Sequence, residues 1–264
     1  MALMESGTGQ VKGRMGLGVL RGLGQAVLDQ LYPPGCACCG APLLSEDGLC
    51  GRCFADLVPI TAPYCPVLGL PFAADMGPGA LSAEALADPP PFRRARAAAV
   101  YGEIAGALVS RLKYGDRPEL ARFCARQMAR AGREFWDEAP VLVPVPLHAS
   151  RLRWRRYNQS MLLAQALGRE LSLKIEGHAV LRHRKTRQQV GLSGTGRARN
   201  VQGAFSLRPD ALAALGGRNV VLIDDVYTTG ATVRAVSRAL LRGGVGAVDV
   251  LTFARVVIGD DLPI

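Results

Sequence analysis

An apolar run, two adjacent acids and a threonine-rich turn limit what this chain can fold into more than any other feature. Residues 220–223 are continuously apolar, which is typical of a strand in a parallel sheet covered on both faces. Asp224 and Asp225 follow at the strand end, and residues 228–232 lead into a helix predicted over 231–242. Open α/β sheets bind their ligands at this edge. The sequence therefore predicts a binding site at the end of this strand.

The chemistry of this segment favours a phosphorylated sugar. Two carboxylates suit hydroxyl groups or a hydrated Mg²⁺, and the N–H groups of a loop before a helix N-terminus bind anions. Carboxylates beside an anion cradle predict a ribose 5-phosphate. The alternative is a helix cap with an acidic turn, which threonine and aspartate often form. The dinucleotide-binding pattern is not found after a strand and therefore fits poorly, and no Gly-Lys-Ser/Thr ends a glycine loop, which excludes a P-loop NTPase.

Strands and helices alternate through the second half of the chain. This alternation predicts an α/β fold in which a parallel sheet is flanked by helices. The predicted strands cover 97–101, 141–145, 220–223 and 247–253, and the predicted helices cover 104–113, 119–133, 158–171 and 231–242. Residues 182–199 have no periodicity and several glycines, so a long basic loop is expected there.

Four cysteines in two pairs predict a structural zinc site near the N-terminus. Cys36 and Cys39 form one pair with two residues between them, and Cys50 and Cys53 form the other. Two such pairs suit tetrahedral Zn²⁺, and in so short a segment the metal would supply folding energy. Cys38 is a competing ligand, although the Cys36 spacing is preferred, and free core thiols are the alternative. Without an export signal, the cysteines are assigned to a reducing cytoplasm.

The positive charge of the chain is concentrated in one segment. The chain has 32 basic and 22 acidic residues, a net charge of +10. Residues 151–199 contain twelve of the basic and two of the acidic residues, so they hold the whole surplus. Such a concentration predicts a polyanionic partner, either a phosphorylated small molecule or a nucleic acid. A solvated basic face that keeps the protein soluble is the alternative.

Composition divides the chain into three parts. Residues 1–15 are expected to form a disordered tail. Residues 16–92 are expected to contain a helix over 17–31, the zinc ribbon and a Pro/Gly-rich connector, and residues 93–264 are expected to form the larger domain. No apolar run approaches the ~20 residues of a membrane span, so we expect no span and a cytoplasmic protein. Whether it forms a homo-oligomer stays open.

The segment 220–232 resembles the phosphoribosyl-diphosphate (PRPP) binding motif of type I phosphoribosyltransferases. From residue 33 onward the chain resembles the ComF/GntX family, in which a zinc ribbon precedes a phosphoribosyltransferase domain and which is linked in some bacteria to natural competence and DNA uptake. The other matching blocks are Arg111-Leu112-Lys113-Tyr114, Val143-Pro144-Val145-Pro146-Leu147-His148, Arg155-Arg156-Tyr157-Asn158-Gln159, residues 182–189 and residues 197–205. The resemblance implies a type I phosphoribosyltransferase-like parallel sheet flanked by helices.

The same resemblance implies roles for individual residues. Asp224 and Asp225 would hold the ribose hydroxyls, and Mg²⁺ would accompany PRPP. The implied PRPP-binding set is Asp224, Asp225, Val226, Tyr227, Thr228, Thr229, Gly230, Ala231, Thr232, Pro146, Leu147 and Lys185, with the 5-phosphate in the turn and the pyrophosphate loop after residue 145. The implied catalytic set is Asp224, Asp225, Arg155, Arg182 and Arg184, whose arginines would stabilise the departing pyrophosphate. Residues 182–189 would lie in a mobile hood.

A second metal site is implied to be lost. Family members often carry a second set of cysteines after the first ribbon. Here Cys65 remains, and Leu68, Ser82 and Ala85 stand at the other positions. One cysteine alone cannot hold a metal, so the resemblance implies one zinc per chain.

Two functions from different classes follow. The first is transfer of a phosphoribosyl group from Mg-PRPP to an unknown acceptor, with release of pyrophosphate. No residue identifies a general base, and His148 is explained equally well as a surface histidine. The second is a catalytically silent accessory factor for competence or DNA uptake that binds nucleic acid or a partner protein. Residues 151–156 with Trp154 and Tyr157 interleave charge with aromatic rings, which favours the second function, whereas the complete 224–232 motif favours the first.

Overall fold

A computed structural model describes residues 35–43, 48–114, 117, 119–148, 152, 157–183 and 203–257 of the chain. The predicted tail, the predicted helix over 17–31 and parts of the basic segment lie outside the described residues. Arg155, Arg184 and Lys185 lie outside them as well, so their assigned roles stay predictions.

The centre of the fold is a four-stranded parallel sheet. Its strands follow the order β1-β6-β5-β2, and two further strands form a separate antiparallel pair, β3 with β4. The strands are β1 (Ala95–Val100), β2 (Val141–Pro144), β3 (Val180–Arg182), β4 (Phe205–Leu207), β5 (Asn219–Tyr227) and β6 (Ala247–Arg255). Four successive residues of β5 are buried, as expected for a strand covered on both faces. The predicted α/β fold is confirmed.

Helices cover both faces of this sheet. They are α1 (Gly51–Ala55), α2 (Ala83–Ala87), α3 (Glu103–Tyr114), α4 (Leu120–Ala131), α5 (Gln159–Leu171), α6 (Leu212–Leu215) and α7 (Ala231–Arg242), with 3-10 turns at Arg133–Glu138 and Pro209–Ala211. Val221 and Ile223 of β5 join one core with α3, α4 and α5, while Val220 and Leu222 join the other core with α7. Within the described residues, none of the helices combines the length and apolar character that crossing a membrane requires.

The element that carries the two acids differs from its prediction. β5 was expected to end at Ile223, but it continues to Tyr227. The reason is its neighbour β6, which extends to Arg255 and pairs with β5 as far as Tyr227. The acids therefore lie on a strand that is hydrogen-bonded to its neighbour, and the turn begins after them. The helix that follows has its predicted bounds, Ala231–Arg242.

Two small units with the same backbone pattern precede the sheet. We call residues 35–55 ribbon one and residues 64–87 ribbon two. Each consists of a loop closed by an antiparallel bridge and followed by a short helix, α1 or α2. The bridged residues are Gly35 with Pro42, and Tyr64 with Pro71. The segment predicted as a Pro/Gly-rich connector therefore contains a folded second ribbon, whose proline and glycine serve its tight loop.

The two ribbons belong to different cores. Cys36 and Ala37 of ribbon one are buried in the core that contains α3, α4 and α5. Cys65 and Leu68 of ribbon two are buried in the core that contains α7. Ribbon two also approaches the sheet closely, because the Ala95 N–H of β1 donates to the carbonyl of a ribbon-two residue at 2.8 Å.

Candidate functional site

The four paired cysteines of ribbon one converge on one point. Their sulfur atoms all lie within 4.8 Å of one another, and the Sγ atoms of Cys39 and Cys50 are 3.6 Å apart. A tetrahedral Zn²⁺ with Zn–S bonds of ~2.3 Å sets its sulfurs about 3.8 Å apart. The arrangement of Cys36, Cys39, Cys50 and Cys53 therefore fits a structural zinc, as the spacing predicted.

The structure also distinguishes Cys36 from the competing Cys38. Among the described residues, Cys38 is not part of the four-sulfur cluster, and its carbonyl accepts a hydrogen bond from Arg111 at 2.9 Å. Sγ of Cys36 accepts the N–H groups of Cys38 at 3.4 Å and Cys50 at 3.3 Å. Burial raises the pKa of the Cys36 thiol, but these and other N–H donors outweigh it and lower the pKa to about 6. The lowered pKa favours the thiolate, which is the form that binds zinc.

Ribbon two repeats these ligand positions with only one of the four cysteines. The Ser82 N–H donates to Sγ of Cys65 at 3.4 Å, as the Cys50 N–H donates to Sγ of Cys36. Ser82 caps α2 and Cys50 caps α1, each accepting the N–H three residues further on. The four equivalent positions hold Cys65, Leu68, Ser82 and Ala85, and all are buried. Among the described residues there is one cluster of four thiols, which fits the predicted structural zinc, and one zinc per chain stays a prediction.

The two acids near the end of β5 lie next to each other, and polar contacts hold both side chains in place. Asp224 accepts the Ser160 hydroxyl at 2.9 Å and the Asp225 N–H at 2.9 Å. Asp225 is buried, and its carboxylate pairs with the Lys113 ammonium of α3 at 2.8 Å. Burial, followed by the charge of Asp225, raises the pKa of Asp224 well above its usual range. The site therefore favours a cation or hydroxyl donors that would stabilise the charged form of Asp224.

The turn after the acids has the features of an anion site. Gly230 adopts φ +70° and stands at the N-cap of α7, which receives no side-chain capping bond. The first N–H groups of a helix have no partner within the helix, and a helix N-terminus of this kind suits an anion. Thr228 is exposed at the turn, and the Thr229 hydroxyl is buried with no hydrogen-bond partner among the described residues. The predicted set Val226–Thr232 is therefore brought together as strand end, turn and first helical residues.

The segment after β2 lies beside the same edge. The Val145 N–H donates to a backbone carbonyl of β5 at 2.9 Å, and the Asn158 side chain donates to the Val145 carbonyl at 3.0 Å. Pro146 and Leu147 follow and are half-buried. The guanidinium of Arg182, at the end of β3, lies 3.4 Å from the Pro146 carbonyl. The structure thus brings one predicted arginine to the segment predicted to bind pyrophosphate.

Two residues of the site were given no role by the sequence analysis. Lys113 belongs to a block that carries the family resemblance, but nothing in its sequence context pointed to Asp225. Ser160 follows the helix-capping Asn158 by two residues, and this position in the first turn of α5 was the only available signal. Both contacts depend on how α3 and α5 pack on the sheet.

The chain is similar to one domain family and to several known proteins. Residues 27–84 match the model of the double zinc ribbon domain, so the chain combines a double zinc ribbon with an α/β domain. It is 36% identical over 233 residues to the DNA utilization protein YhgH of Escherichia coli, covering 85% of this chain and 99% of that protein. It is 32% identical to competence protein F of Haemophilus influenzae, covering 83% of this chain and 95% of that protein. The chain therefore belongs to the ComF family, as its motifs indicated.

The chain is also similar, at lower identity, to a further competence protein and to a solved enzyme structure. The chain is 29% identical to competence protein ComFC of Bacillus subtilis, covering 78% of this chain and 82% of that protein. Among solved structures, it is similar to the allosteric regulatory enzyme of purine biosynthesis with a TM-score of 0.36 and 21% identity. That similarity covers 55% of this chain and 30% of the enzyme chain.

Proposed function

We propose that the protein binds Mg-PRPP at the carboxyl end of β5 and transfers its phosphoribosyl group to a nucleophilic acceptor. The observation that carries this proposal is the placement of Asp224 and Asp225 near the end of β5, where a short turn connects them to the N-terminus of α7. Carboxylates accept hydrogen bonds from ribose hydroxyls, and the helix N-terminus suits a phosphate. One sugar that carries both groups fits this arrangement better than a free phosphate does.

The donor set also fits Mg²⁺. Asp224 and Asp225 are adjacent carboxylates, and burial, followed by the charge of Asp225, raises the pKa of Asp224. Oxygen ligands of this kind are those that Mg²⁺ prefers together with substrate phosphates. When bound, Mg²⁺ would supply positive charge that neutralises the pyrophosphate.

Catalysis in this proposal consists of positioning and charge stabilisation. The bond between C1 of the ribose and the pyrophosphate oxygen breaks, and its electron pair leaves with the pyrophosphate. The acceptor supplies the electron pair of the new bond to C1. Arg182 beside Pro146 brings a positive charge to the leaving group. We propose the same role for Arg155, Arg184 and Lys185.

Calorimetric titration with Mg-PRPP tests this site. Asp224→Asn removes a charged acceptor of ribose hydroxyls, so its affinity should fall at least tenfold, since such bonds contribute ~1.5–3 kcal/mol. Asp210→Asn is the matched control, because Asp210 is an exposed acid paired with Arg208. Equal affinity of wild type and Asp224→Asn would refute the site. Pyrophosphate release measured with bases, amines and ammonia would then define the acceptor class.

The pH dependence of binding provides a second test. Burial and the neighbouring charge raise the pKa of Asp224 to about 7, so the free protein carries a proton on this group at pH 6. The ionised form accepts hydroxyl groups better, and affinity should therefore rise between pH 6 and pH 8. Titration of the PRPP phosphates is common to wild type and Asp224→Asn, so the difference between their profiles isolates Asp224. Parallel profiles would contradict this role.

The names of the relatives favour a second candidate function. Two of them are named competence proteins and one a DNA utilization protein, which supports an accessory role in handling DNA or a partner of the competence machinery. The surplus of positive charge in residues 151–199 is compatible with either a phosphorylated small molecule or a nucleic acid. Fluorescence anisotropy with single-stranded DNA distinguishes phosphoribosyl transfer from the accessory role. A steep salt dependence that PRPP does not affect would favour the accessory role.

A further inference from the structure

A buried arginine connects ribbon two with the end of β5. Arg255 is the last residue of β6 and is 2% exposed. Its Nη1 donates to the Leu68 carbonyl at 2.8 Å, and its Nη2 lies 3.4 Å from the Glu84 carboxylate of α2. The same guanidinium lies 4.2 Å from the centre of the Tyr227 ring. One side chain therefore joins the loop and the helix of ribbon two to the residue that precedes the turn.

Tyr227 in turn supports the turn itself. Its side chain is 2% exposed, and a Cβ atom added to Gly230 would overlap its hydroxyl and ring. The backbone at Gly230 thus rests directly on the Tyr227 ring. This position requires glycine for two reasons. A side chain would overlap Tyr227, and the backbone φ of +70° is one that glycine adopts readily. A displacement of the ring would displace the turn.

A second buried arginine makes the same connection from α7. Arg234 lies in the first turn of α7 and is 5% exposed, and its N–H donates to the Gly230 carbonyl at 2.9 Å. Its Nη2 donates to the Asp88 carbonyl at 2.9 Å, and its Nη1 lies 3.4 Å from the Asp88 carboxylate. Asp88 is the C-cap of α2. Both sides of the turn are therefore attached to ribbon two or to the residue that caps its helix.

We infer that ribbon two positions the turn at residues 228–230 for the ligand phosphate, with Arg255 and Arg234 as positioning residues. This inference rests on the proposed function of the site. Buried guanidinium groups need hydrogen-bond partners, and the carbonyls of Leu68 in ribbon two and of Asp88, which caps its helix, supply one each. Ribbon one packs in the other core, so the role belongs to the ribbon without the metal cluster.

The 5-phosphate and the pyrophosphate of the ligand would bind at separate places. The 5-phosphate would occupy the turn that rests on Tyr227, whereas pyrophosphate would bind after β2, where Asn158 and Arg182 make the contacts. Weakening the attachment of ribbon two should therefore reduce affinity for ribose 5-phosphate and leave affinity for pyrophosphate unchanged. A general loss of stability would affect both ligands.

The experiment compares two variants with one control in the full-length protein. Arg255→Lys keeps the charge but cannot reach the Leu68 carbonyl and Glu84 together. Glu84→Gln removes one ion pair at a side chain that is 44% exposed, so it tests the same contact without endangering the fold. Asp210→Asn removes an exposed ion pair elsewhere. Calorimetry with ribose 5-phosphate and with magnesium pyrophosphate is combined with hydrogen exchange of the amides at 228–232 in the free protein.

Arg255→Lys should reduce ribose 5-phosphate affinity about tenfold, and Glu84→Gln about twofold to threefold, since a half-exposed pair contributes little. Amide exchange at 228–232 should rise in the same order, with pyrophosphate affinity unchanged. Wild-type affinity and exchange in both variants would overturn the inference, and so would a parallel loss of both ligands. If the wild type binds neither ligand while the variants still exchange faster, the proposed function fails and the attachment of the turn to ribbon two stands.

Discussion

Ribbon one and ribbon two close their loops with equivalent hydrogen bonds but hold them together by different means. The Cys36 N–H donates to the Ala41 carbonyl at 2.7 Å, and the Cys65 N–H donates to the Leu70 carbonyl at 2.8 Å. In ribbon one, four sulfurs face one another at metal-binding distance. In ribbon two, a single sulfur remains, and buried Leu68 occupies a ligand position.

The difference indicates which contacts hold this backbone where three of the four thiols are missing. Ribbon two buries Leu68 and Ala85 in the core beneath α7. Burial of a leucine side chain contributes about 1.5–3 kcal/mol. The buried Arg96, Arg234 and Arg255 then each donate to a backbone carbonyl of ribbon two or of the residue that caps α2. Apolar packing and guanidinium bonds thus replace the zinc, and they attach ribbon two to the site.

Removal of zinc should separate the two ribbons most clearly. Zinc binding supplies ~10–16 kcal/mol in small ribbons, and this is folding energy, so chelation should unfold ribbon one. Hydrogen exchange should then show loss of protection over residues 36–53 and retained protection over residues 65–85. Metal analysis should give one equivalent before chelation, and added zinc should restore protection. Equal loss in both ribbons would contradict the comparison.

Restoring the missing ligands should give ribbon two a metal. The variant Leu68→Cys/Ser82→Cys/Ala85→Cys places four thiols on a backbone with the hydrogen bonds of ribbon one. Metal analysis should rise from one zinc to two. Leu68→Cys alone is the control and should stay at one. If the folded triple variant binds one zinc only, the geometry of the two ribbons is not equivalent.

Truncation of Leu68 should weaken ribbon two substantially. Leu68 is 1% exposed, so Leu68→Ala leaves a cavity and should reduce the free energy of unfolding by about 2–4 kcal/mol. Leu86→Ala is the matched control in the same ribbon, because Leu86 is 64% exposed and should change stability by less than about 0.5 kcal/mol. Urea unfolding measures both. A similar effect of the two substitutions would show that Leu68 does not replace the metal.

The helix cap of ribbon two should give the smallest effect. The Ser82 hydroxyl accepts the Ala85 N–H at 3.3 Å at the start of α2. Ser82→Ala removes this bond and should reduce the free energy of unfolding by ~1 kcal/mol, whereas Ser82→Gly should lose only a few tenths. Urea unfolding of the two variants tests whether Ser82→Ala loses more free energy of unfolding than Ser82→Gly. No difference from wild type would mean that the cap contributes nothing to ribbon two.

Several elements followed directly from the sequence. The helix Ala231–Arg242 has its predicted bounds, because its apolar stripe and the preceding glycine are local signals. The length of β5 was underestimated, since the acids carry no strand signal and only the pairing with β6 extends the strand past them. Ribbon two appeared as a connector because proline and glycine mark turns whether or not a core covers them.

The sequence by itself determined the types and spacing of the zinc ligands, the order of strand, acids and turn, and the family. These features depend on residues that are close along the chain, so their pattern is visible without the fold. Only the tertiary structure decided that Lys113 pairs with Asp225, that Ser160 reaches Asp224, and that ribbon two supports the turn. The physical reason is separation: Arg255 and Leu68 are 187 positions apart, and only the packing of ribbon two against the end of the parallel sheet brings them into hydrogen-bond contact.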